Sequence, residues 1–148
     1  MSDEESKLFS LKEAESLRHR LEPILVESME LRRKLLGLDS ELVSLAEKIQ
    51  RSGGMTISYD KAAQSRMLRN RAHEELQRNL EKIQATGCVV KDLDIGLLDF
   101  PARIDNQAVY LCWKLGEDRI RFYHRRDEGF SGRKPIQPSD GDYTGLIQ

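Results

Sequence analysis

The sequence predicts an α+β protein, a long N-terminal antiparallel helical hairpin packed with a small C-terminal antiparallel β-sheet of three to four strands. Three observations predict it. Ser10-Leu11-Lys12-Glu13 has capping-box spacing, in which a hydroxyl and a carboxylate three residues apart each satisfy an orphan N–H of a first helical turn. Apolar residues then recur at three- and four-residue intervals as far as Ile83, interrupted by one glycine-containing turn. From Cys88 onward the period falls to two, with β-branched and aromatic residues separated by turn formers.

The first helix carries Leu11, Ala14, Leu17, Leu21, Ile24, Leu25, Met29 and Leu31 on one stripe and runs to about Gly37. Pro23 lies inside it and is expected to kink or divide it, because it lacks an N–H and its ring crowds the preceding turn. Asp39 or Ser40 is placed to cap a continuation through Leu42, Leu45, Ala46 and Ile49, ending at Ser52-Gly53-Gly54. Asp60 is placed to cap the second long helix, whose apolar positions are Ala62, Met67, Ala72, Leu76, Leu80 and Ile83, with Gly87 ending it. Arg69 and His73 fall near that line, so the stripe is thin and the hairpin needs a sheet or a second copy to cover it.

Cys88–Val90, Leu98–Ile104, Gln107–Lys114 and Arg119–Arg125 read as strands. A two-residue turn at Asp105-Asn106 would pair Ile104 with Gln107, Ala102 with Val109, Phe100 with Leu111 and Leu98 with Trp113. A four-residue loop, Leu115-Gly116-Glu117-Asp118, would pair Trp113 with Ile120, Leu111 with Phe122 and Val109 with His124. That register puts Asp99, Pro101, Arg103, Tyr110, Cys112, Lys114, Arg119, Arg121, Tyr123 and Arg125 on an outer, basic and aromatic face, with His124 on the inner one. The chain divides accordingly into a disordered N-terminus (1–9), the hairpin (10–87), the sheet region (88–134) and a mobile tail (135–148).

Composition narrows the functions. Charged residues make up 33% of the 148 and apolar residues 39%, as expected of long exposed helices. The 24 basic and 25 acidic residues leave a net charge of -1, so no bulk field draws the chain to nucleic acid or to an anionic membrane. The acidic start lacks the basic and apolar regions of a secretory signal, and no apolar run is long enough to span a bilayer. A soluble cytoplasmic protein is expected. Cys88 and Cys112 are too few for a disulfide framework and form no Cys-x-x-Cys motif.

Four ordered segments then carry a resemblance: Lys91-Asp92-x-Asp94-x-Gly96, Asp99-Phe100-Pro101, Cys112-Trp113-x-x-Gly116-Glu117, and Tyr123-His124 followed by Gly129-Phe130-Ser131-Gly132-Arg133. Together they resemble a bacterial family, the domain of unknown function numbered 2203, over nearly the whole chain. That resemblance implies that these segments belong together and lends no activity.

Ligand-binding candidates are Lys91, Asp99, Arg121, His124 and Arg133, which a phosphate or carboxylate would bridge if sheet and glycine-rich loop converge. Asp92, Asp94, Glu117 and His124 are metal-ligand types, but none lies in a metal-binding spacing and the register separates Asp99 from His124, so no metal and no cofactor is expected. Cys112 faces Arg121 in this register, which would favour its thiolate, while His124 points away from it and removes a Cys-His pair. No catalytic residue is assigned. Two functions follow: a non-enzymatic binding or self-assembly module, a homodimer through the hairpin with a protein partner or small anionic ligand, and, as the alternative, a small enzyme or anion-binding protein with a site at the sheet, metal-dependent if Asp92, Asp94, Glu117 and His124 converge. Nucleic acid and membrane are not expected partners.

Overall fold

A computed structural model of the protein describes residues 7–53 and 56–137, without the side chains of residues 52 and 56–58. The capping box forms: Ser10 N donates to Glu13 Oε1 and Glu13 N to Ser10 Oγ, both at 3.0 Å. From it α1 runs unbroken over Leu11–Ser52, through Pro23 and Gly37. The expected division at Pro23 and the second cap at Asp39 or Ser40 therefore do not occur. Asp39 instead accepts from Arg69 Nε at 2.8 Å. Gly53, with φ of +74°, closes the helix in the left-handed conformation that glycine takes at least cost. The second helix, α2, spans Thr56–Ala85, starting four residues before Asp60, and Gly87 (φ +98°) ends it as expected. A side chain at Gly87 would also press on the Phe9 ring at 3.4 Å.

Five antiparallel strands follow in a meander: β1 (Val89–Asp92), β2 (Leu97–Ile104), β3 (Gln107–Lys114), β4 (Phe122–Arg125) and β5 (Lys134–Pro135). The fifth exceeds the three to four expected. The β2–β3 hairpin has the expected register throughout, Ile104 opposite Gln107 through Leu98 opposite Trp113. Asp105 and Asn106 turn it with φ of 51° and 66°, the paired positive values of the two-residue turn whose twist suits a hairpin.

The β3–β4 register differs from expectation by one residue. Leu111 opposes Tyr123, Cys112 opposes Phe122, and Tyr110 opposes His124. The loop runs from Leu115 to Arg121, folding back on the end of β3 at Glu117 and then finding partners on α1 and at Ile136. Trp113 Nε1 donates to Glu117 O, Lys114 N to Glu117 Oε1, Ile120 N to Glu15 Oε1 on α1, and Ile136 N to Arg121 O. With those groups satisfied, pairing resumes at Phe122 out of phase with a short loop.

The chain forms two compact units. One comprises residues 1–26 and 81–148, and carries the sheet with the outer ends of both helices. Its core joins Ala14, Leu17, Leu21, Leu25 and Ile83 to Leu98, Phe100, Leu111 and Trp113, all buried. Phe9 is 4% exposed, meets Phe100 edge-on at 5.6 Å, and donates its N–H to Pro101 O. Of the segments expected to be disordered (1–9) or mobile (135–148), residues 1–6 and 138–148 lie outside the described residues. The other unit, residues 27–80, is a two-helix arm. Its cross-helix contacts fix an antiparallel register: Glu27 accepts from Asn79 at 2.8 Å, Asp39 from Arg69, and Glu41 from Ser65 at 3.0 Å. The inner line of α2 reads Ala62, Ser65, Arg69, Ala72, Leu76, Asn79, a strict alternation of three and four residues. Met67, expected on that line, is 64% exposed.

Candidate functional site

The altered β3–β4 register decides which chemical groups meet. Residues directly opposite in an antiparallel pair share a face. Asp99 opposes Cys112 and His124 opposes Tyr110, so Asp99 (β2), Cys112 (β3) and His124 (β4) lie on one face, where the sequence-based register had separated His124 from the other two. That face is buried: Asp99 and Cys112 are fully inaccessible and His124 is 1% exposed. One donor atom from each lies within 4.8 Å of the other two.

Hydrogen bonding assigns the imidazole proton. His124 Nδ1 lies 2.8 Å from the carbonyl oxygen of Arg125, which can only accept, so Nδ1 carries the hydrogen. Nε2 then faces Asp99 Oδ2 at 3.1 Å, a contact that requires one shared proton. Burial raises the Asp99 carboxyl above its ordinary range, partly offset by His124. Asp99 Oδ1 is buried without a hydrogen-bond partner. Burial first, and the neighbouring Asp99 second, push the Cys112 thiol up to about 12, while Cys88 is raised for the same two reasons. Both imidazole nitrogens are engaged, so neither is free to take the thiol proton. These residues therefore do not form an activated nucleophile, and the reactive thiolate considered for Cys112 opposite Arg121 does not arise.

The other sequence candidates scatter. Lys91 is exposed on β1, though its charge still favours the ionised Asp99 carboxyl. Asp92 Oδ1 accepts from Asp94 N at 2.9 Å, the turn-capping role that short acidic side chains commonly take. Arg133 Nη2 reaches both oxygens of Glu117 at 2.8 Å, and its guanidinium lies over the Phe122 and Phe130 rings at 4.1 and 4.6 Å. Arg121 makes a two-toothed contact with Asp118, both bonds at 2.9 Å. Arg121 and Arg133 are thus each committed to a different carboxylate, and the structure does not bring the five ligand candidates to one place.

A groove on the sheet-bearing unit gathers a different set. Its walls are the first turns of α1 (Lys12, Glu15, Ser16, His19 and Arg20) and the segment Arg119–Phe122, with Leu11, Ile120, Phe122, Pro135 and Ile136 supplying apolar floor. Glu15 is taken by Arg18 and by Ile120 N. Lys12, Arg20 and Arg119 are exposed and make no ion pair among the described residues. Sequence reading singled out Arg119 and Arg121 but missed Lys12, His19 and Arg20, whose seven- and eight-residue spacing from Lys12 is the available signal that they share a helix face.

A family model described as "Uncharacterized conserved protein (DUF2203)" matches residues 7–136. No curated protein and no solved structure matches the chain.

Proposed function

Because this chain belongs to the DUF2203 family of uncharacterised conserved proteins, whose description assigns no activity, we propose that it is a non-enzymatic self-assembly and binding module that pairs with a second copy through its helical arm. One observation carries this reading. The arm buries little of its own apolar surface, with Leu31, Leu35, Leu45, Ala62, Ala72 and Leu76 its buried apolar side chains among the described residues, while Leu36, Val43, Tyr59, Met67 and Leu68 stand exposed. Leu36 and Val43 are two turns apart and share one line of α1, the spacing of a coiled-coil seam. A helix pair that leaves such a line in water gains by covering it with the same line of a second chain. The three-four alternation of the inner line supports describing the arm as an antiparallel coiled coil. Two free, buried thiols accord with a reducing compartment, the cytoplasm. Among the described residues no helix is long and apolar enough to cross a membrane. The test is sedimentation equilibrium of the chain beside Leu36→Glu/Val43→Glu. The double variant is expected to stay helical and lose self-association, and an unchanged assembly would remove the arm from the interface.

A second reading rests on the groove. Lys12, Arg20 and Arg119 supply positive charge above an apolar floor without a salt bridge among the described residues, Arg119 lying near Asp118 but not paired with it, which suits a small organic anion. Calorimetry with nucleotides and aromatic carboxylates, on the chain and on Arg20→Ala/Arg119→Ala, tests it. Heat that survives both substitutions would place the ligand elsewhere, and no heat with either class would dismiss the groove.

A further inference from the structure

We propose that Asp99, Cys112 and His124 bind a single borderline divalent cation of the zinc class inside the sheet-bearing unit. The donor set is one carboxylate oxygen, one sulfur and one imidazole nitrogen, the mixture such a cation accepts and a hard oxygen-seeking cation does not. Around a tetrahedral ion with bonds of about 2.0–2.3 Å, donor atoms stand roughly 3.3–3.8 Å apart. Here the three lie within 4.8 Å of one another, with Nε2 and Oδ2 at 3.1 Å, so side-chain shifts of an ångström or less would converge them.

Two further features point the same way. His124 is oriented as metal-bound histidines are, its far nitrogen donating to a backbone carbonyl, that of Arg125, at 2.8 Å, which leaves Nε2 to give its lone pair inward. Asp99 Oδ1 is fully buried without a full hydrogen bond, the weakly donating Cys112 thiol being the carboxylate's other polar neighbour beside His124, a costly condition that a cation between them would relieve. Charge also balances. Binding releases the Cys112 thiol proton and any proton between Asp99 and His124 to solvent, so that thiolate, carboxylate and M²⁺ sum to zero and no net charge is buried. Among the described residues no fourth donor joins the cluster, and a water molecule completes the shell. The site is closed by the sheet and steadies it, and it is independent of the arm and the groove.

The experiment is a cobalt(II) titration of the chelator-treated full chain, read by absorbance after equilibration, with zinc added last. The expected result is one cobalt per chain, an intense near-ultraviolet thiolate-to-cobalt band, its loss on adding zinc, and a rise in melting temperature with either ion. Cys112→Ser is expected to abolish the band and Cys88→Ser to leave it intact. Asp99→Asn, which nearly preserves shape, is expected to weaken cobalt binding by at least about tenfold while circular dichroism shows a folded protein. Absence of the band in the unmodified chain overturns the proposal whatever the variants do. So does a band that persists in Cys112→Ser or disappears in Cys88→Ser, or an Asp99→Asn chain that binds as tightly as its parent.

Discussion

At the Asp99–His124 contact, 3.1 Å long and without solvent, removing one partner strands the other in a medium that cannot hydrate it. His124→Ala is accordingly expected to cost about 2–3 kcal/mol, the scale for leaving a buried polar group without its hydrogen-bond partner, as measured by urea unfolding. A loss below about 1 kcal/mol would mean that Asp99 finds another partner. The thiols make a second residue-scale prediction. Because burial raises both Cys88 and Cys112, neither should react with a chromogenic disulfide at neutral pH in the native chain, and both should react in denaturant. Rapid native labelling of Cys112 would show that the buried face opens. Individual core residues were legible in the sequence, since Trp113, Phe100 and Leu111 are all fully buried as their apolar cross-strand partners require. The site was not. Its three residues were each noticed, but a period-two pattern says which side chains share a face only after the register is known.

Among the elements, β2–β3 was readable because everything that fixes it is local, two turn residues able to take positive φ and apolar partners at every second position. The β3–β4 pair was misread because its loop is settled by distant groups, Glu15 on α1 and the backbone of Ile136, which no local pattern reveals. Alternation could not correct the slip either, since β2 is buried on both faces except at Arg103. Truncation of either face should therefore be costly. Phe100→Ala should lose about 3–5 kcal/mol in denaturant unfolding, whereas exposed Arg103→Ala should stay within about 0.5 kcal/mol. Equal losses at both would place Arg103 in a contact that the sheet does not show. The start of α1 was also legible, and Ser10→Ala should cost about 1 kcal/mol. Glu13, held below its ordinary range by the Ser10 backbone N–H, contributes stability that is present above the usual carboxylate pKa and lost as pH falls through the depressed value. The penalty of Glu13→Gln should consequently shrink in acid, where Glu13 itself becomes neutral, and a penalty that grows there would contradict the capping box.

For the whole molecule, the sequence made the helical pair and the sheet recognisable as objects, yet not the division of the chain. Both helices continue from one compact unit into the other, at residues 26–27 and 80–81, with no glycine or proline to mark the passage. Pro23 and Gly37, which both suggested breaks, stay within an intact helix, Gly37 in open space where helix propensity alone is weakened. The thin apolar stripe is what suggested self-association from the sequence, and the self-assembly reading places it on the exposed Leu36 and Val43. Light scattering coupled to gel filtration of the unmodified chain at micromolar concentration is the most direct test of the self-assembly reading. The account predicts a particle of twice the 17.1 kDa chain mass, and a clean 17.1 kDa monomer across the concentration range would contradict it.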